Sequence, residues 1–211
     1  MQSATPKPRP GGGRTPRARR ARPARASYVA QAGVIAAAYA AATIVCLLFM
    51  RSLAWGPVQF RISEALTVFA LLTPAAAPGL TLGCVVANLA NTVLSGIGPL
   101  GLLDAVFGSL ATYLAARWMY RFRDRPTLAM AGPVVFNALI VPAYLPLLLM
   151  GLGFYVLPFS QISLDGVWWA MYLFGLVATG IGEAVVVYVL GRPLYRSLAS
   201  SATISRLTRT Q

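Results

Sequence analysis

The chain has five acidic residues in 211, and three of them, Glu64, Asp104 and Glu183, fall within or at the lip of apolar segments. An ionisable side chain in hydrocarbon costs about 2.5 to 3.5 kcal/mol on insertion scales, so it faces a partner, a cavity or a ligand. Arg61 precedes Glu64 by three residues in Phe60-Arg61-Ile62-Ser63-Glu64-Ala65-Leu66. Asn88 and Asn137 are carboxamides in other apolar segments. Each group has an ordinary structural reading: an i, i+3 ion pair for Arg61 and Glu64, a helix cap for Asp104, a structural hydrogen bond for Glu183. Together, carboxylates, carboxamides and one guanidinium on inward faces favour a small polar ligand. A nucleobase-like compound fits, because a carboxylate accepts two parallel bonds from a guanine-type edge while Asn donates and accepts and Arg donates to a carbonyl. An amino acid or a vitamin fits the same groups.

Other chemistries lack their parts. With no histidine, a zinc or haem site is not expected, and a Ser-His or Cys-His nucleophilic pair is impossible. Cys46 and Cys84 lie singly in apolar segments and read as packing residues. No G-x-x-x-x-G-K-[ST] loop is present, so energy for transport would come from an ion gradient or a partner. The expectation is a protein that is not an enzyme, with no metal and no cofactor.

These residues must be positioned by membrane-spanning helices. The composition, 57% hydrophobic and 11% charged with a mean hydropathy of +0.67, is that of a polytopic membrane protein. Runs long enough to cross about 30 Å of hydrocarbon fall at about 28–50, 62–77, 79–95, 100–120, 127–152 and 166–191. They predict an all-α membrane protein, a compact bundle of six transmembrane helices. Polar residues recur at helical steps on single faces: Thr81, Cys84, Asn88, Asn91 and Ser95; Asp104, Gly108 and Thr112; Trp168, Tyr172, Gly175, Thr179 and Glu183. Glu64 and Asp104 are expected at outer depth. Glu183 is placed about 11 Å from the inner end of its span, level with Asn137 and hydrogen-bonded to it. On the first span, Ala32, Ala36 and Ala40 run beside Gly33, Ala37 and Ala41 as a small-xxx-small surface that admits another helix, of this chain or of a partner.

The net charge of +13 does not point to nucleic acid, because of its distribution. Lys7 and seven arginines crowd the first 25 residues with no acid among them, which predicts a disordered basic arm over 1–27 ahead of a membrane domain at 28–197 and a tail at 198–211. The apolar run from Tyr28 to Met50 is longer than a signal-peptide core of about 7 to 15 residues. Arginines also cluster at 117–125 and at Arg192, Arg196, Arg206 and Arg209. With an even number of spans, all three basic clusters lie on one side, so both termini are expected in the cytoplasm.

Several of these residues stand in longer motifs. Gln59-Phe60-Arg61-Ile62-Ser63-Glu64-Ala65-Leu66-Thr67, then Thr73-Pro74, Gly83 with Ala87-Asn88-Leu89, the stretch Gly101-Leu102-Leu103-Asp104-Ala105-Val106-Phe107-Gly108-Ser109-Leu110-Ala111-Thr112, Asn137-Ala138-Leu139-Ile140 and Gly182-Glu183 resemble the QueT family of queuosine-precursor transporters over about residues 28–197. The family is similar to the substrate-binding S components of energy-coupling factor transporters, which dock onto a transmembrane coupling subunit driven by two ATPases. The resemblance implies a cell-membrane protein that captures a 7-deazaguanine such as preQ1, with Arg61, Glu64, Asn88, Asp104, Asn137 and Glu183 as site residues. It also implies docking through Ala32, Ala36 and Ala40. Glu64 and Asp104 would contact the ligand, Asn88 would assist, and Glu183 with Asn137 would support it from beneath. A stand-alone proton-coupled carrier and a capture subunit for another micronutrient are the competing readings.

Overall fold

The computed structural model describes residues 25–54, 60–96, 98–149, 155–157 and 160–201. Among them the chain is helical, and five helices are long and apolar enough to cross a membrane. We label them α1 (Arg25–Ala54), α2 (Ala76–Ser95), α3 (Gly98–Arg121), α4 (Pro126–Leu149) and α5 (Trp168–Ser200). Large apolar side chains such as Phe49 and Val93 point outward, 84% and 82% exposed. A soluble bundle would bury them; lipid solvates them. The basic arm and the end of the tail lie outside the described residues, apart from Arg25–Ser27, which already belong to α1.

The second expected span takes a different form. Residues 62–77 do not make an α-helix; Ile62–Leu71 is a 3-10 helix. Two hydrogen bonds fix its course along α1. Thr43 Oγ1 lies 2.7 Å from Ser63 Oγ, and the Thr73 hydroxyl donates to Gln31 Oε1 at 2.8 Å. The α1 stretch between Gln31 and Thr43 is about 18 Å long. The 3-10 rise of about 2 Å per residue carries Ser63 to Thr73 over a similar distance in the opposite direction. The 3-10 helix therefore covers only half the length of α1, and it returns the chain to the end of the bundle where α1 begins. Leu194, Tyr195 and Leu198 of α5 pack at that same end, on the cluster that holds Ile35.

A three-residue period also settles which side chains face inward. Arg61, Glu64, Thr67 and Ala70 align, and all four are buried. The Thr67 hydroxyl donates to the Glu64 carbonyl at 2.6 Å, which satisfies an acceptor inside the bundle.

The helices α1 and α2 approach closely because both present small residues. A Cβ added at Gly79 would lie 2.7 Å from the Ala32 carbonyl oxygen, and one at Gly83 would lie 2.6 Å from that of Ala36. This corrects the expected docking face. Ala36 and Ala40 are buried, and the Ala32–Ala36–Ala40 stripe is already covered by α2. The neighbouring stripe of Gly33, Ala37 and Ala41 is exposed.

The remaining helices depart from regular geometry where polar residues enter them. α3 contains a π turn over Asp104–Gly108, and α5 one over Val186–Gly191. α4 carries Pro142 and Pro146, each of which removes one backbone hydrogen bond. A Cβ on Gly175 of α5 would lie 2.9 Å from the Pro142 Cβ, so this glycine admits the proline. Two apolar clusters fill the bundle. One holds Val68, Leu71, Leu80, Met119 and Val187; the other holds Val141, Tyr144, Leu145, Leu149, Tyr155 and Met171.

Candidate functional site

Between these clusters lies a polar layer. Along α2, Leu80 and Cys84 belong to the first cluster, and Asn88 follows one turn later. Along α4, Asn137 precedes Val141 and Tyr144 of the second. Along α5, Glu183 separates Met171 from Val187. All six residues expected from the sequence are buried: Arg61 6% exposed, Glu64 1%, Asn88 2%, Asp104 2%, Asn137 4% and Glu183 3%.

The layer has two parts. In the first, Asp104 is the hub. Arg61 Nη2 lies 3.4 Å from its Oδ2, the Tyr144 hydroxyl donates to its Oδ1 at 2.6 Å, and Asn88 Nδ2 donates to its backbone carbonyl at 2.8 Å. Gly108, one turn on, leaves the space these groups use. A Cβ there would lie 2.8 Å from Asp104 Oδ1, 3.1 Å from Asn88 Nδ2 and 3.2 Å from the Tyr144 hydroxyl. The second part joins the Tyr39 hydroxyl, which donates to Glu64 Oε1, to Asn137 and Glu183, whose side chains interact. Glu183 is also within electrostatic reach of Glu64 and Arg61.

Three expectations change. Arg61 and Glu64 do not pair with each other; the first turns to Asp104 and the second to Tyr39. Asp104 does not cap its helix, since it opens a π turn within α3. Glu64 is not at outer depth, because its partner Tyr39 sits at the midpoint of α1.

Two further residues belong to the layer. Tyr39 lies in the alanine-rich first span, and Tyr144 lies between the two prolines of α4. In each case the only sequence signal is a hydroxyl at the end of an apolar ring. Cys84, a packing residue by sequence, is buried with its sulfur 3.5 Å from Asn88 Nδ2 and 3.4 Å from the Thr112 hydroxyl.

Among the described residues, several polar atoms of this layer have no partner of good geometry. They are Arg61 Nε, Glu64 Oε2, Asn137 Nδ2, Glu183 Oε2 and Ser109 Oγ. Buried polar groups in native proteins are almost all satisfied. Donors and acceptors from four separate elements converge here, and the arrangement can accept a planar polar molecule that both donates and accepts. Among the described residues no group of three or more His, Cys, Asp or Glu is arranged to hold a metal ion.

Described residues between α4 and α5 pack on the second cluster, through Tyr155 and Leu164. Leu164 N donates to the Tyr155 carbonyl at 2.7 Å, and Val156 pairs with Ser163 in an isolated bridge. Tyr155 is wholly buried and meets Phe174 edge-on, with ring centroids 6.1 Å apart. Burial first, and then the Asp165 carboxylate, push its phenol above the ordinary range, so it stays neutral.

Comparison with known families matches the chain to the family model described as QueT transporter, over residues 29–200. No curated protein and no solved structure matches the chain.

Proposed function

The chain belongs to the QueT transporter family, and from that premise we propose that it is the substrate-capture subunit of an energy-coupling factor transporter. Its substrate is a queuosine precursor of the 7-deazaguanine class, such as preQ1, taken up across the cell membrane. The observation that carries this reading is the set of unpartnered buried atoms on Arg61, Glu64, Asn137 and Glu183, enclosed between two apolar clusters. A 7-deazaguanine presents an N–H and amino edge that one carboxylate accepts in parallel, and a ring carbonyl that a guanidinium or a carboxamide N–H reaches. The apolar clusters exclude water, so these bonds replace bonds to solvent instead of competing with it.

In this mechanism Asp104 is a positioning residue. It holds Arg61, which then presents its free Nε to the ligand, while Tyr39 orients Glu64 so that Oε2 faces the layer. Energy comes from a coupling subunit with two ATPases. The exposed Gly33–Ala37–Ala41 stripe of α1 is the surface proposed for that partner, since small residues let a second helix approach. The basic clusters at 117–125 and at the end of α5 support a reading with both termini in the cytoplasm.

Native mass spectrometry of the full chain with preQ1, preQ0, queuine, guanine and riboflavin tests the substrate. Selective retention of the 7-deazaguanines is expected. Retention of riboflavin alone would overturn the ligand and keep the capture role, and retention of none by folded protein would overturn both.

A further inference from the structure

Away from the polar layer, a groove of about 560 Å³ lies where α4 begins beside the π turn of α5, lined by Arg125, Pro126, Thr127, Leu128, Ala131 and Tyr188. Tyr188 belongs to that turn, and its hydroxyl donates to the Thr127 carbonyl at 2.9 Å, so its ring forms a wall between the two helices. With that hydroxyl engaged, the lining is apolar apart from Arg125 and the Thr127 side chain. The depth of the groove follows from α5. The Trp168 and Tyr172 rings stack at the start of that helix, with centroids 5.3 Å apart, as aromatic side chains gather at a membrane–water interface. Tyr188 stands about 30 Å further along at 1.5 Å per residue, the thickness of the hydrocarbon layer. The groove therefore sits where the hydrocarbon of the opposite leaflet meets its headgroups.

The charge at its rim is one-sided. Arg117, Arg121, Arg123 and Arg125 share the end of α3 and the turn into α4 with one acid, Asp124. Two of these guanidinium groups already rest on rings: Arg121 lies 5.8 Å from the Phe122 centroid and Arg123 lies 4.5 Å from that of Tyr120. Arg125 has no such ring and, among the described residues, pairs with no carboxylate. It is exposed where it lines the groove. A guanidinium holds a phosphate through two parallel hydrogen bonds, and an apolar groove beside it takes hydrocarbon. We propose that this groove binds one anionic phospholipid of the phosphatidylglycerol type, with its phosphate on Arg125 and the upper part of one acyl chain against Leu128, Ala131 and the Tyr188 ring. A phosphatidylcholine carries the same phosphate, but its ammonium would enter a rim of arginines, so the headgroup without a cation is preferred. The site is separate from the polar layer and does not depend on what that layer binds.

Native mass spectrometry of the full-length chain, exchanged into lipid-free detergent and titrated with phosphatidylglycerol or phosphatidylcholine of identical acyl chains, tests the site. The wild type is expected to retain one phosphatidylglycerol at least about tenfold more tightly than phosphatidylcholine. In Arg125→Gln that ratio falls to about threefold or less, while in Arg123→Gln, whose guanidinium rests on Tyr120, it is unchanged. Ala131→Phe fills the groove without touching a charge and is expected to weaken retention of phosphatidylglycerol at least about tenfold. A melting temperature equal to wild type shows that each variant is folded; should Ala131→Phe melt lower, the two arginine variants decide. Equal retention of both lipids by the wild type, or equal losses in the two arginine variants, would show a diffuse basic surface and overturn the proposal. A folded Ala131→Phe that retains the lipid as wild type does would also overturn it. So would a wild type that takes neither lipid, which would leave the groove to a helix of a partner protein.

Discussion

Asp104 serves three neighbours at once, and its loss would be felt through Arg61. Removing one member of a buried ion pair costs about 3 to 5 kcal/mol, because the other charge stays buried without a partner. Asp104→Asn and Arg61→Gln are each expected to lower stability by amounts of that order. The double variant should recover part of the loss, and denaturation of the purified protein in detergent measures the coupling. Losses that simply add would show that the 3.4 Å contact carries no energy. Gly108 tests positioning without touching any charge. Its methyl would sit among Asp104 Oδ1, Asn88 Nδ2 and the Tyr144 hydroxyl, so Gly108→Ala is expected to weaken ligand binding about tenfold, or about 1.4 kcal/mol, while the bundle still folds. Unchanged affinity by titration would remove the Asp104 hub from the ligand's surroundings.

At the scale of helices, the α1–α2 contact depends on two missing side chains. A residue larger than glycine at position 83 must displace the Ala36 backbone, and overpacking of this kind costs about 1 to 3 kcal/mol. Gly83→Leu should lower the melting temperature and shift the unfolding midpoint; a variant as stable as wild type would mean that α1 moves freely against α2. How legible these elements are in the sequence varies with their cause. Polar stripes at helical steps mark the inward faces of α2, α3 and α5 over their middle residues, where Asn88, Asn91, Thr112, Thr179 and Glu183 are buried, whereas Ser95 is exposed and Trp168 and Tyr172 are half-buried; in lipid only a polar or small face needs protein against it. The 3-10 helix is not legible in this way. Its ten residues, Ile62–Leu71, have the apolar composition of a span, and nothing in Glu64 itself states that its rise is longer per residue or that Tyr39 lies opposite. Read as an α-helix entering from the outer side, the same residues place Glu64 too high. The alanine stripe is ambiguous for a related reason. Small residues announce close approach but not by whom, and only the glycines of α2, at matching spacing, show that the partner is within the chain.

For the whole molecule, capture and movement are separable. The polar layer lies between two apolar clusters, and on the proposed reading release of a captured ligand requires the bundle to reorient or open. Nothing in the layer supplies that work; an external partner or a proton moving through Glu64 and Glu183 could. The exposed stripe of α1 separates the two routes, because it lies on the opposite side of the helix from Tyr39 and outside the ligand layer. Gly33→Leu and Ala37→Leu enlarge that surface where, among the described residues, no other element lies within 4 Å of a Cβ on Gly33. They are expected to leave ligand affinity unchanged and to reduce uptake into cells at least tenfold. Liposomes containing this chain alone should show no accumulation under a proton gradient. Accumulation there, or full uptake by both leucine variants, would exclude dependence on a docked coupling subunit and assign the buried glutamates to proton exchange.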